Sequence, residues 1–287
     1  LSAGSAWYHL DAAGIGEAKR RTGFRYACIC YDLIPITHPE FYAPKDVAMM
    51  HRHWHATLQF ANLVVTNATC IAADLERFCA AEQIATPEIA IQPLGYDPPP
   101  GSPGTPPPPL ESGRYALFVS TIEPRKGHAM LLRVWRRLLA RCLPQRHRFH
   151  LVFVGRPGWM VEDVLRELTN GAGLEGTVCH LQGIDDVALH ALYAHAAFVL
   201  YPSRYEGFGL PIIEAFAHGK PVIASTGGAL PETVAGAYPC LPPDDEMGWE
   251  TAIAEWIERP PGDFESVTTH LTWREAAAAI LARVKEA

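Results

Sequence analysis

From residue 114 to residue 241 the chain alternates short apolar runs with amphipathic segments of helix length, which leaves little choice of fold. The apolar runs cover 114–120, 149–155, 177–181, 197–201 and 221–224, with a weaker one near 238–241. Helical patterns fill 127–142, 159–170, 185–195 and 211–218; in the first, Leu131, Val134, Trp135 and Leu138 share one face. Short apolar strands separated by crossover helices make a parallel, doubly wound sheet covered on both faces.

A shorter version of the pattern precedes this one. Residues 25–31, 63–66 and 88–92 read as strands, and 46–60 and 68–81 as helices, with a further helix before Gly23. The segment Ala12-Ala-Gly14-Ile-Gly16 reads as a turn. Three strands are few for a lobe, so the chain is expected to start within a domain and to be functionally incomplete by itself. The bare sheet edge would be covered by a second copy of the chain or remain partly disordered. Between the two patterns, residues 93–113 are dense in Pro and Gly and read as a stiff linker. The expected layout is a partial first domain over 1–92, the linker over 93–113, a larger domain over 114–271 and a closing helix over 272–287. Thr272 and Glu275 have the spacing of a capping box. The fold class is α/β, with two Rossmann-like doubly wound domains, the first incomplete.

Composition narrows the function. The net charge is −7 and there is no long basic tract, which argues against nucleic acid as a partner. Seven scattered cysteines fit a reduced, cytoplasmic protein, and Cys28 and Cys30 read as packing on one strand face. No apolar run reaches the ~18 residues of a membrane span. His51, His53 and His55 lack the glutamate spacing of a helical zinc motif. Arg133, Arg136, Arg137 and Arg141 share a helix face. Solvent is the default for that face, and peripheral contact with anionic lipid the alternative. No Asp-x-Asp loop is placed to hold a metal; Asp185-Asp186 and Asp244-Asp245 read as helix starts.

Chemistry concentrates in two stretches. The first is Tyr201-Pro-Ser-Arg-Tyr-Glu206-Gly-Phe-Gly-Leu-Pro211-Ile-Ile-Glu214-Ala-Phe-Ala-His-Gly219. Gly207 and Gly209 bare the backbone to a ligand, Pro211 suits a helix start and Gly219 a helix end. Free N–H groups at such a start attract anions. Two carboxylates beside an anion site suit a ligand with both phosphate and hydroxyls, such as a nucleotide sugar. The second stretch is Ser120-Thr-Ile-Glu-Pro-Arg125-Lys126-Gly127-His, which follows the first strand of the larger domain and opens its first helix. Its adjacent cations can clamp a diphosphate. It matches neither a P-loop nor a dinucleotide fingerprint.

Together, these stretches resemble the retaining glycosyltransferases of family 4, which have the two-lobed GT-B architecture. Tyr31-Asp-Leu-Ile-Pro-Ile-Thr-His-Pro-Glu-Phe-Tyr42 is similar to their acceptor domain, especially in bacterial mannosyl- and rhamnosyltransferases of surface-polysaccharide assembly. Leu181-Gln-Gly-Ile-Asp-Asp-Val-Ala-Leu-His-Ala-Leu-Tyr193 resembles their base-binding turn and following helix. The resemblance implies a nucleoside diphosphate sugar donor, GDP-mannose first, and a saccharide or lipid-linked acceptor, with no cofactor and no bound metal. It gives Arg125 and Lys126 the diphosphate, Glu206 the transferred sugar and Glu214 the donor ribose. Gly207, Phe208, Gly209 and Leu210 would offer backbone to the sugar, and Gly183 and Ile184 would border the base. Where many members carry an additional arginine, this chain has Ser120 or Thr121. The acceptor-side place that is often a histidine falls to Asp32 or His38, and the sequence does not choose between them. Two alternatives stay open: a sugar-nucleotide epimerase of the same architecture, or a non-catalytic lobe that binds nucleotide sugars.

Overall fold

The computed structural model describes residues 1–2, 11–171, 173–174, 176–262 and 270–286. They divide into two compact units. One comprises Leu1–Gly95, Glu206–Phe208 and Leu271–Ala287; the other comprises Tyr96–Tyr205 and Gly209–His270.

The first unit begins with α1 (Ala12–Thr22), β1 (Ala27–Cys30), α2 (Ile34–Thr37), α3 (Pro44–Leu58), β2 (Leu63–Thr66), α4 (Thr69–Ala81) and β3 (Glu88–Ile91). Its strands pair in parallel, in the order β1-β2-β3. The turn expected over 12–16 is instead the start of α1. Asp11 accepts from the Gly14 N–H at 3.0 Å, and Gly23, at φ 75°, closes the helix with its N–H on the Lys19 carbonyl. α3 starts before the expected residue 46 because Pro44 already has a helical φ in the first turn. Among the described residues, Ser2 engages the outer edge of β1: it donates to the Ala27 carbonyl at 2.9 Å and accepts from Ile29 N–H at 3.0 Å. Cys28 and Cys30 are buried, no disulfide joins any of the seven cysteines, and burial pushes the Cys28 thiol up to about 12. His51 and His55 both face Glu82, at 3.0 and 2.9 Å. Among the described residues, no group of three or more His, Cys, Asp or Glu could hold a metal ion.

The second unit carries β4 (Tyr115–Val119), α5 (His128–Ala140), α6 (Leu143–His147), β5 (His150–Val154), α7 (Glu162–Asn170), β6 (Val178–Leu181) and α8 (Asp186–His195). It continues with β7 (Phe198–Tyr201), α9 (Leu210–Ala217), β8 (Val222–Ser225), α10 (Leu230–Val234), β9 (Cys240–Leu241) and α11 (Glu246–Glu258). All six strands are parallel, in the order β6-β5-β4-β7-β8-β9. The chain winds outward in one direction from β4 and in the other from β7. Loops leaving the carboxyl ends of those two strands therefore flank the switch point, where doubly wound sheets bind ligands. The Pro-rich stretch lies along this unit: Leu110 is buried in its core, and His195 contacts Ser112 at 3.0 Å and the Gly104 carbonyl at 2.9 Å. α7 starts three residues later than the pattern suggests. The preceding loop pairs with Ile122 instead: Ile122 N–H donates to the Arg156 carbonyl at 3.0 Å and Gly158 N–H to the Ile122 carbonyl at 2.9 Å. The last helix, α12 (Trp273–Glu286), belongs to the first unit, where Ile280 and Val284 cover Ala27, Leu63 and Val65. Its capping box forms, with Thr272 N–H on Glu275 at 2.8 Å and Glu275 N–H on Thr272 at 3.2 Å. Among the described residues, no helix is long and apolar enough to cross a membrane.

The core of the second unit is apolar, and its two fully buried tryptophans are hydrogen-bonded. Trp135 and Trp249 are fully buried, with their indole N–H groups on Thr177 and on the Pro242 carbonyl at 2.9 and 3.0 Å. The arginine face of α5 is partly exposed and meets α11 in an ion-pair ladder. Arg133 and Arg137 hold Glu246 at 2.7 and 2.8 Å, and Arg137 and Arg141 hold Glu250 at 2.9 and 3.2 Å. Arg136 reaches Glu167 on α7 at 3.0 Å. The four-residue spacing on both helices puts the partners in register. Burial alone would raise the Glu246 pKa, but hydrogen bonds from Arg133 and Arg137 outweigh it and hold the carboxyl below its ordinary value. A carboxyl depressed by folding adds stability above its unfolded pKa and loses it as pH falls through the folded value. Glu246→Gln is therefore expected to cost roughly 0.5–1.5 kcal/mol in urea unfolding near pH 7, after solvent screening, and to cost less at pH 3. An equal loss at both pH values would contradict the ladder.

Candidate functional site

The site starts where β4 ends. Ser120 continues the strand with its N–H on the Val154 carbonyl at 2.9 Å, and its hydroxyl bonds the Thr121 carbonyl at 3.0 Å. Pro124–Lys126 then form a single 3₁₀ turn, and Gly127, at φ 87°, switches the chain into α5. Arg125 and Lys126 thus precede the α-helix rather than opening it. A Cβ on Gly127 would lie 2.9 Å from the Pro202 carbonyl oxygen, so a glycine is what lets this turn pack against the β7 loop.

Arg125 ties the two loops together. Its Nη1 donates to the Tyr205 carbonyl at 2.9 Å, its own carbonyl accepts from Arg204 N–H at 2.7 Å, and its Nε lies 3.2 Å from Glu123 Oε2. Lys126 is buried, with Nζ 5.8 Å from the centroid of the Tyr201 ring. His128 packs between Phe118 and Phe153, at ring distances of 4.5 and 4.9 Å. Burial first, then the Lys126 charge, pulls its pKa down to about 3, so it is a neutral packing group.

The β7 loop is held from behind. Ser225 donates its hydroxyl to the Ser203 carbonyl and accepts from Gly227 N–H at 3.1 Å. A Cβ on Gly227 would meet the Ser203 and Arg204 carbonyls at 2.5 Å. Gly209, at φ 100°, caps α9. Glu206 is buried, and with Gly207 and Phe208 it groups with the first unit. There a Cβ on Gly207 would lie 2.5 Å from the Tyr31 carbonyl and 3.0 Å from Asp32 Cβ. Of the two acceptor-side candidates, Asp32 lies against this glycine and accepts from Ile34 N–H at 3.1 Å. His38 contacts Thr37 at 2.9 Å and stacks on Phe41 at 6.3 Å.

Glu214 sits one turn into α9. Its Oε2 accepts from the Tyr193 hydroxyl at 2.6 Å. It lines a cavity of ≈ 170 Å³ together with Tyr96, Asp97, Asp186, His190 and Tyr193. Burial raises the Glu214 pKa; the Tyr193 hydrogen bond works against that, and the Asp186 charge adds to it. Tyr96 is pushed up to about 12 by burial and by the Glu214 and Asp186 charges. Gly183, at φ 64°, makes the turn between β6 and α8, with Asp185 capping Ala188 N–H at 2.8 Å and Ile184 packed on the core.

The structure brings in residues that motif reading passed over. Gly155 and Gly227 let neighbouring strand-end loops touch backbone to backbone, and Tyr193 holds Glu214. A glycine directly after an apolar strand is a visible signal for the first. Tyr193 lies inside a quoted motif, but nothing in its spacing tells which side chain it meets.

The family of glycosyl transferases group 1 matches residues 107–276, more than half of the chain. The chain belongs to that family. It is 31% identical over 263 residues to O-antigen chain mannosyltransferase B of Escherichia coli, covering 87% of this chain and 62% of that protein. It is 25% identical over 283 residues to the serotype-specific mannosyltransferase WbdA of Escherichia coli, covering 92% of this chain and 34% of that protein. The chain thus spans under two thirds of the one relative and about a third of the other. Among solved structures, sucrose-phosphate synthase from Thermosynechococcus elongatus superposes with a TM-score of 0.73 at 22% identity, over 96% of this chain and 71% of that one. Anabaena HepE in complex with UDP and glucose superposes at 0.71 and 20% identity, over 96% and 76%. At these identities the likeness concerns the fold, which is of the GT-B type.

Proposed function

We propose that this family member transfers a hexose, mannose first, from a nucleoside diphosphate sugar to a saccharide or lipid-linked saccharide during polysaccharide synthesis. Transfer retains the anomeric configuration, in the cytoplasm and without a bound metal. The observation that carries the reading is the tie between the two switch-point loops: Arg125 of the β4 loop bonds both Arg204 and Tyr205 of the β7 loop. A basic turn and a carboxylate-bearing loop are thereby fixed at the sheet edge where phosphates bind. Mannose, and the polysaccharide context, are supported by the names of the relatives.

The chemistry assigns each group a task. The bond from the anomeric carbon to the diphosphate oxygen breaks, and the acceptor hydroxyl oxygen takes its place on the same face. The acceptor proton passes to the departing diphosphate. Arg125 and Lys126 stabilise the charge that builds on that leaving group. Glu206, with the backbone of Gly207, Phe208, Gly209 and Leu210, holds the sugar and stabilises its oxocarbenium character. Ser120 and Thr121 border the phosphates, Gly183 and Ile184 the base, Glu214 the ribose, and Asp32 the acceptor. GDP is the first choice of leaving nucleotide.

The test offers GDP-mannose, UDP-glucose and UDP-N-acetylglucosamine with mannose-terminated oligosaccharide and lipid-linked acceptors, and reads the new linkage by NMR. An α-mannosyl product from GDP-mannose is expected. A β-linked product, or an epimerised donor with no transfer, would contradict the reading.

A further inference from the structure

We infer that Tyr193 is a positioning residue that fixes Glu214 for the donor ribose, and so sets the preference for ribose over deoxyribose. The inference rests on the ribose role proposed for Glu214. A cavity-lining carboxylate on a short helix has several rotamers, and a ribose diol needs one of them. The Tyr193 hydroxyl selects it by donating to Oε2 at 2.6 Å, the length of a charge-assisted bond. Among the described residues no other side chain is hydrogen-bonded to this carboxylate, so Oε1 is left for a ligand in the cavity.

The tyrosine is itself held on its ring face. His218 stacks on it at 5.2 Å and 23°, and bonds the Glu214 backbone carbonyl through Nδ1 at 2.7 Å. His190 meets His218 at 2.5 Å, joining α8 to α9 behind the pair. Burial lowers the His218 pKa, so this support is neutral at pH 7. Tyr193 stays protonated, and therefore a donor, because burial and the Glu214 charge hold its pKa well above the ordinary value. The other titratable groups at the cavity are Asp97, Asp186, Tyr96 and His190. Asp186 opposes ionisation of Glu214, and the Tyr193 bond favours it. Removing the hydroxyl therefore moves the protonation of Glu214 to higher pH.

The experiment titrates the chain with GDP and UDP, and with their 2′-deoxy forms, by calorimetry from pH 5 to pH 8. Tyr193→Phe is expected to weaken ribonucleotide binding about ten- to hundredfold, the scale of a hydrogen bond to a charged group. It should narrow the ribose-to-deoxyribose ratio and move the acid limb of binding to higher pH. Combined with Glu214→Gln, it should add little further loss. Equal weakening of ribose and deoxyribose forms, with an unmoved acid limb, would reduce Tyr193 to packing and overturn the inference. So would wild-type behaviour of Tyr193→Phe where Glu214→Gln loses affinity; that result leaves the ribose role intact. Wild-type affinity in Glu214→Gln would remove the ribose role itself.

Discussion

Gly155→Ala is expected to destabilise the second unit by about 2–4 kcal/mol, the largest loss foreseen for a single methyl group here. Gly155 follows β5 at φ 150°, and a Cβ there would lie 2.0 Å from the Ser120 carbonyl oxygen and 2.6 Å from its carbon. Those are backbone atoms of the loop leaving β4, so no side-chain rotation relieves the clash. Gly155 N–H also bonds the Leu181 carbonyl at 3.0 Å, which ties its position to β6. The methyl group must then displace either the β4 loop or the β5–β6 pairing. The first route moves Ser120 and Thr121, so nucleotide affinity should fall along with stability. Chemical unfolding of the variant measures the first effect and calorimetry with GDP the second. Wild-type stability would show that the two loops give way easily, and that the site has no rigid floor.

Lys126→Ala is expected to weaken binding of GDP or UDP by about 1.5–3 kcal/mol, the scale of a charge-assisted hydrogen bond. Lys126 is 8% exposed, and its ammonium lies over the Tyr201 ring. It is placed by Gly127 and by its N–H on the Glu123 carbonyl at 3.1 Å. A cation held this way adds more to an anion than a mobile surface lysine does, because less is lost in ordering it. Lys126→Arg would keep the charge but not the compact head, and should recover only part of the affinity. Unchanged affinity for both nucleotides in Lys126→Ala would remove the diphosphate from this turn.

Much of the fold was legible because parallel strands buried on both faces are written as continuous apolar runs. The runs at 114–120, 149–155 and 197–201 enclose the strands Tyr115–Val119, His150–Val154 and Phe198–Tyr201. What the pattern hid was local and set by contacts. The helix expected before Gly23 is α1, but its start reads as a turn because Gly14 and Gly16 interrupt the pattern; Asp11, which accepts from Gly14 N–H, starts the helix there. α2, α6 and α10 span only four or five residues each, too short to show a period. Arg125 and Lys126 were placed at a helix start, but they lie in a 3₁₀ turn that Gly127, at φ 87°, ends before α5. The arginines of α5 alone cannot say what they face; Glu246 and Glu250 lie more than a hundred residues later. The motifs point to Glu214 without the hydroxyl that orients it, since Tyr193 meets it only after α8 and α9 pack.

The most direct test of the central claim is calorimetry of the whole chain with GDP-mannose in EDTA, beside Lys126→Ala and Glu214→Ala. One molecule of nucleotide sugar should bind per chain without divalent metal, and each substitution should weaken binding at least tenfold. Failure of GDP-mannose, GDP and UDP to bind, or binding indifferent to both substitutions, would contradict the account.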